Sequence, residues 1–403
     1  MLTKKEQHID PDLPEHVVLN ILCRLPVKSL IRFTCVCKRW HSLIISDRQF
    51  GNSHFQLSSH LRQHVLIATP RMSSTQFQCL DDNFTTKKLT CPLELTTVTS
   101  NTEVMGSCDG LVLLGQFNRN CLVPLVEFYC DYYRSLVIWN PSTKFVRKIP
   151  LPKFQIGMIK LADERKKRHM SCVYYGFGRV SASDDYKLVV IPNFGGFMEV
   201  QVFSYRANSW KVVKAPYLSP YPFWSKEWGT YSNGAIHWVS DCEPGFEPPP
   251  VYAFDLDSEQ FGEMPLPVFS HNEDGIKMTR VRTPVLVGGC LCVMFQDPDK
   301  YSEFWVMKEY KMPESWVKLF RFNVRDLPDV FAPNYNCYYW DPIFLSEDGT
   351  IVIKLHMKLD LVRIICCKDN APVCTDRYRV EVPEYMCSFN AHFYHETLVS
   401  VPE

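Results

Sequence analysis

The chain has 403 residues, 46% hydrophobic and 13% aromatic, enough for one large and one small packed domain and far from a disordered composition. Its 44 Lys and Arg balance 44 Asp and Glu, which removes the global basic charge expected of a general nucleic-acid binder. No apolar run of about 18 residues suggests a membrane span, and Met1–His8 carries no apolar secretion-signal core, so no membrane association is expected. The expected compartment is the cytosol, the nucleus or both, with the 17 cysteines as free thiols in a β core.

In chain order, Asp10-Pro11-Asp12-Leu13-Pro14 reads as a helix start, with acidic residues and proline at the positive end of the helix dipole. Val17, Val18, Ile21, Leu22 and Leu25 follow at spacings of three and four, one apolar helix face ended by Pro26. A second short helix is expected from Val27 to about Cys35, with Leu30 and Phe33 three apart. A third places Val36, Trp40, Leu43 and Ile44 on one side. Roughly forty residues cannot bury this much apolar surface alone. The head must pack on the rest of the chain, on a partner, or on both, and periodicity does not choose between them.

The residues themselves carry a resemblance. Leu13-Pro14, Ile21-Leu22, Leu25-Pro26, Lys28-Ser29-Leu30, Arg32-Phe33, Val36-Cys37-Lys38 and Trp40 closely resemble the F-box, whose helices dock the Skp adaptor of SCF ubiquitin ligases. That resemblance implies an adaptor-facing surface made largely by Leu13, Pro14, Val17, Ile21, Leu25, Pro26 and Leu30. Phe33, Val36 and Trp40 would brace the head or complete the surface. An apolar helical face seated in a partner's groove is a common recognition mode.

After Phe50 the chain reads as β structure to its end. Val65–Ala68 and Lys87–Thr90 are short candidate strands. From Met105 a three-strand unit recurs, its middle strand centred near Trp139, Phe203, Phe254, Trp305 and Arg363. A β unit repeating at roughly 50 to 65 residues marks a propeller array; the competing reading is an irregular pair of β-sandwiches. The segment from His392 to Val401 is placed to pair with residues 60–100 and close a ring of about six blades, which would leave no open sheet edge. The expected fold is therefore α+β and multidomain: a three-helix head, residues 10–50, on a large all-β, propeller-like body, residues 51–403.

Cys108-Asp109-Gly110-Leu111, Trp139-Asn140-Pro141-Ser142-Thr143 and Asn233-Gly234-Ala235-Ile236-His237-Trp238 look like the F-box-associated, kelch-like domain of plant F-box proteins. The architecture is similar to that of the pollen S-locus group without selecting it. The resemblance implies that the body holds a protein target.

Catalytic patterns are absent from the sequence. Gly176-Phe177-Gly178 lacks the third glycine and following helix of a phosphate loop. The pairs Cys35/Cys37, Cys290/Cys292 and Cys366-Cys367 have neither zinc spacing nor nearby histidines. Asp184-Asp185 reads as a turn and His237 as a packed strand histidine. Glu164–His169 is a charge run expected in a solvated loop. No cofactor or metal is expected. Two loops, the aromatic stretch Tyr217–Trp228 and the proline-rich Asp241–Pro250, are candidates for target capture, with Tyr221, Phe223, Trp224 and Phe246 as contact residues. The sequence thus reads as a non-catalytic target receptor that joins a Skp-type adaptor, and through it a cullin, to an unknown protein. A kelch-like scaffold without a ligase role is the alternative from another class, and a propeller enzyme is a third.

Overall fold

A computed structural model of the chain describes residues 13–58, 63–71, 74–93, 100–118, 133–157, 172–194, 197–214, 228–239, 250–267, 280–296, 301–322, 340–346, 348–355, 358–366, 372–383 and 389–401. Four helices form the head: α1 (Glu15–Leu22), α2 (Val27–Phe33), α3 (Lys38–Ile45) and α4 (Arg48–Ser58). Both Leu-Pro pairs act as helix starts. Pro14 and Pro26 sit at the N-caps with φ near −55°, at −53° and −55°, where the ring pre-sets the backbone and no N–H is wasted. Their carbonyls accept the first amides, Val17 and Val18 for Pro14, and Ser29 and Leu30 for Pro26. Asp47 caps α4, its Oδ1 accepting the Phe50 amide at 3.0 Å.

The strands are β1 (Gln63–Pro70), β2 (Thr75–Leu80) and β3 (Thr86–Leu89); β4 (Ser100–Cys108), β5 (Leu111–Asn118), β6 (Ser135–Trp139) and β7 (Val146–Ile149); β8 (Cys172–Val180), β9 (Asp185–Phe194), β10 (Phe197–Met198), β11 (Val200–Ser204) and β12 (Ser209–Val213); β13 (Thr230–Ser232), β14 (Ala235–Val239), β15 (Val251–Asp255) and β16 (Gln260–Met264); β17 (Arg280–Val287), β18 (Cys290–Gln296), β19 (Ser302–Met307) and β20 (Trp316–Phe322); β21 (Trp340–Leu345), β22 (Thr350–Leu355), β23 (Asp360–Ile365) and β24 (Val373–Arg379); and β25 (Asn390–His395).

They form six antiparallel sheets, blades I to VI, in a propeller. Blade I is β25-β1-β2-β3, and each later blade runs in chain order, with β10 an extra strand on blade III. The first strands β25, β4, β8, β13, β17 and β21 touch one another in sequence around the ring. They are the inner strands, and the fourth strands lie outermost. Closure is as expected: β25 pairs with β1, from Gln63 opposite His395 to Ala68 opposite Asn390. Every junction between neighbouring blades has its own apolar cluster, so each blade buries its faces only against its neighbours.

Inner hairpins turn on Asp109-Gly110, Asn233-Gly234 and Gly288-Gly289, all with positive φ at both residues, the turn that matches strand twist. At two junctions an outer-strand indole reaches back to the preceding blade. Trp210 Nε1 donates to the Pro150 carbonyl at 2.7 Å and Trp316 Nε1 to the Pro265 carbonyl at 2.8 Å.

Several expectations are corrected. Helix continues to Ser58, past Phe50, where β structure was expected to begin. Blades II to VI each have an inner strand ahead of the expected three-strand unit, and blade III carries β10 as well. Not all cysteines lie in a β core: Cys35 and Cys37 are exposed on the head, while Cys79, Cys108, Cys292 and Cys366 are buried in the propeller.

Candidate functional site

The head has an inside and an outside. Leu22, Cys23, Val27, Leu30, Ile44 and Phe50 form its core, with Phe33 and Trp40 packed at the side, ring centroids 5.6 Å apart. On the outside, Leu13 and Ile21 keep 59% and 47% of their surface in solvent. Pro14 is exposed and Val17 half-buried. Val17 and Ile21 are four apart on α1, so they share one face. Val36, 59% exposed, adds a further apolar side chain at the turn after α2.

The seven residues expected to face an adaptor therefore divide. Leu13, Pro14 and Ile21 are open and Val17 partly so. Leu25 and Pro26 are half-buried, and the Leu25 carbonyl is 2.8 Å from His54 Nε2 on α4. Leu30 was expected on the outer face, but it is 0% exposed inside the head core. The spacing of α2 gave its helical phase without revealing that its leucine side turns inward.

The head is fixed to the propeller by a charged ladder. Arg48 of α4 bonds Asp184 Oδ2 at 2.6 Å, and Arg179 bonds Asp184 Oδ1 at 2.7 Å and Asp109 Oδ2 at 3.4 Å. The Tyr186 hydroxyl donates to Asp109 at 3.0 Å. Burial pushes the Asp109 carboxyl above its ordinary value, and Arg179 and Tyr186 oppose that shift. Asp184 is thus a turn residue, at φ 49°, with an added tethering role. All these groups lie at the hairpin end of the inner strands, which is the end of the propeller that meets the head.

The opposite end carries the connections from second to third strands and from fourth strands to the next blade. At the same end of the strands, Tyr133 packs on Tyr175 at 5.3 Å and on Trp228 at 6.2 Å between ring centroids. The Tyr133 hydroxyl donates to Glu103 Oε2 at 3.0 Å, and the Asn390 amide donates to the other oxygen of Glu103. Trp228 is the described end of the aromatic stretch. Tyr221, Phe223, Trp224 and Phe246 lie outside the described residues, as does the charge run Glu164–His169. The strand ends flanking them, Val213, Thr230, Val239 and Val251, all belong to this far rim.

No catalytic constellation emerges among the described residues. His237 is buried, with Nδ1 3.1 Å from the Thr230 carbonyl and Nε2 2.9 Å from the Tyr310 hydroxyl. Burial lowers its pKa to about 4, and Lys311 adds to the shift, so at neutral pH it donates to Thr230 and accepts from Tyr310 as a structural bridge. Cys292 is a fully buried thiol whose pKa is raised by burial, not an activated nucleophile. No group of three or more His, Cys, Asp or Glu among the described residues could hold a metal. A cleft of about 410 Å³ lies at the seam of blades VI and I, but its charges serve the fold. Arg363 pairs with Asp376 at 3.1 Å and stacks on Phe84, while Asp81 and Asp348 cap their own turns.

The F-box domain model matches residues 11–50, and the F-box associated beta propeller domain model matches residues 63–401. The chain is a plant F-box protein with a C-terminal F-box-associated domain. F-box protein CPR1 of Arabidopsis thaliana is 28% identical over 366 residues, 85% of this chain and 79% of that protein. The Arabidopsis thaliana F-box/kelch-repeat protein At3g23880 is 26% identical over 338 residues, 82% of this chain and 84% of its own length. Among solved structures, TolB from Acinetobacter baumannii aligns over 86% of this chain and 71% of its own, at 9% identity and a TM-score of 0.44. No helix among the described residues of this F-box protein is long and apolar enough to cross a membrane.

Proposed function

We propose that this F-box protein is the target-recognition subunit of an SCF-type ubiquitin ligase. The carrying observation is the outer side of α1 and its entry: Leu13, just before the helix, and Ile21 on it stay in solvent although the head core behind them is closed. An apolar helical face without an internal partner fits the groove of a Skp-type adaptor, which in turn joins a cullin. The propeller then holds a protein target at its far rim, with Tyr221, Phe223, Trp224 and Phe246 as candidate contacts. The chain contributes no catalytic group. It raises the effective concentration of target lysines near a charged conjugating enzyme.

The test is affinity capture from proteasome-inhibited plant cells, comparing the intact chain with a full-length double variant, Leu13→Glu and Ile21→Glu. The intact chain recovers adaptor, cullin and ubiquitin-conjugated targets, and the variant recovers targets alone. Equal recovery of adaptor by both would sink the proposal. Adaptor capture without any ubiquitinated target would instead favour a scaffold.

A further inference from the structure

The head core is not made by the head alone. Leu398, near the far end of the chain, belongs to the same cluster as Leu22, Cys23, Val27, Leu30, Ile44 and Phe50, and it is only 4% exposed. Its neighbours go the other way: Val399 and Val401 lie in the apolar cluster between blades II and III. Successive side chains of an extended chain point to opposite sides, so one short tail enters two cores at once. Polar contacts hold it in register. Asn140 Nδ2 donates to the carbonyls of Thr397 and Val399 at 3.1 and 2.9 Å, and the Thr397 amide donates to Ser142 Oγ at 3.2 Å.

Two close backbone approaches complete the clamp. A Cβ on Gly110 would fall 2.4 Å from the His395 carbonyl oxygen, and one on Gly51 of α4 would fall 3.3 Å from the Leu398 carbonyl oxygen. Immediately before the tail, β25 closes the ring on β1. The residues that lock the propeller are therefore continuous with the residue that completes the head.

We propose that residues 396–401 are a working part of the F-box, and that seating them, which follows closure of the propeller, stiffens the docking face of α1 and raises its affinity for the adaptor. The head is synthesised first, with a core that lacks Leu398. It becomes a rigid platform for Leu13, Val17 and Ile21 once the last strand has paired and the tail is seated. A nascent or C-terminally clipped receptor would then bind the adaptor more weakly. This inference rests on the adaptor reading above, and its test separates the two.

The full-length chain carrying Leu398→Ser is compared with wild type and with Val399→Ala by hydrogen exchange and by titration with purified Skp-type adaptor. In Leu398→Ser, exchange of α1–α3 amides rises by about tenfold or more, adaptor affinity falls by a similar factor, and the inner strands of blades I and II keep wild-type protection. Val399→Ala lowers protection in blades II and III first. Gly51→Val, which pushes α4 off the Leu398 backbone, reproduces the Leu398→Ser pattern. Wild-type head protection in Leu398→Ser overturns the inference, and so does loss of protection through the whole chain, which would make Leu398 a general core residue. If wild type itself fails to bind the adaptor while Leu398→Ser still loosens only the head, the adaptor reading falls and the coupling stands.

Discussion

Ile21→Glu separates docking from folding most cleanly. Full burial of an isoleucine side chain is worth about 1.5–3 kcal/mol, and Ile21 retains 47% of its surface in solvent. Truncating it to alanine should therefore weaken adaptor binding by about 1 kcal/mol, roughly fivefold. Glutamate adds an unpaired carboxylate to an apolar interface, a further few kcal/mol, so binding should fall by roughly a hundredfold or more. Stability should barely change, since a charged residue at an exposed helix position alters it by about 0.5 kcal/mol at most. Leu30→Ala is the contrasting control. Leu30 is 0% exposed, and its truncation should cost the head about 2–5 kcal/mol. Calorimetric titration with a purified Skp-type adaptor and thermal melts of the same samples measure both quantities. Wild-type affinity for Ile21→Glu at an unchanged melting temperature would refute the assignment of the α1 face.

Three further outcomes follow from the propeller. Gly110 and Gly234 share a left-handed conformation, φ 78° and 75°, but a Cβ meets the His395–Thr397 backbone and side chain at the first and nothing within 4 Å at the second. Gly234→Ala should cost about 1–2 kcal/mol of backbone strain, and Gly110→Ala about 1–3 kcal/mol more; equal melting temperatures would contradict the tail's placement. His237, facing Thr230, Tyr310 and Lys311, has its folded pKa lowered from 6.5 to about 4, so its contribution is complete above the unfolded value and is lost as pH falls towards the folded one. Wild type should lose about 3 kcal/mol more than His237→Gln across that window, read from urea midpoints at each pH; parallel curves would exclude a neutral buried bridge. Trp316→Phe leaves the Pro265 carbonyl without its indole donor and should lower stability by about 1 kcal/mol, measured by urea unfolding; no change would show that the bond between outer strands adds nothing.

Much of the head was legible because its signals are local. Leu13-Pro14 marks a helix start, Pro26 marks the break between the first two helices, and spacings of three and four set the apolar faces. The F-box resemblance places Leu30 outward, and helical phase alone does not correct it, because phase does not say which face meets a core that is completed from the far end of the chain. Helix α4 was missed for a related reason. It carries Gly51 in its interior, which costs about 1 kcal/mol of helix propensity, yet that glycine is what lets the helix lie against the Leu398 backbone. A locally unfavourable residue marked a tertiary contact that no window of sequence contains.

The unrecognised inner strands make the same argument at the propeller axis. In β8, Gly176 and Gly178 looked like an incomplete phosphate loop. A Cβ on Gly176 would strike Ile236 at 2.5 Å, and one on Gly178 would strike Tyr231 at 2.2 Å, so both glycines clear space for side chains of blade IV. In β8 the packing of blade IV selects these two glycines inside a run that is otherwise largely valine and aromatic, and glycine in a strand interior weakens the strand signal. The outer hairpins keep the ordinary signature and were read correctly. The fold then separates two tasks by strand direction. Tight hairpins, the charged ladder and the tail share one end, where the head is held still. The connections bearing Tyr221, Phe223, Trp224 and Phe246 leave from strand ends on the other side. On the function proposed above, the adaptor contact is held rigid at one rim and the target contact is free to diversify at the other, because a ring of antiparallel blades keeps the two sets of strand ends apart.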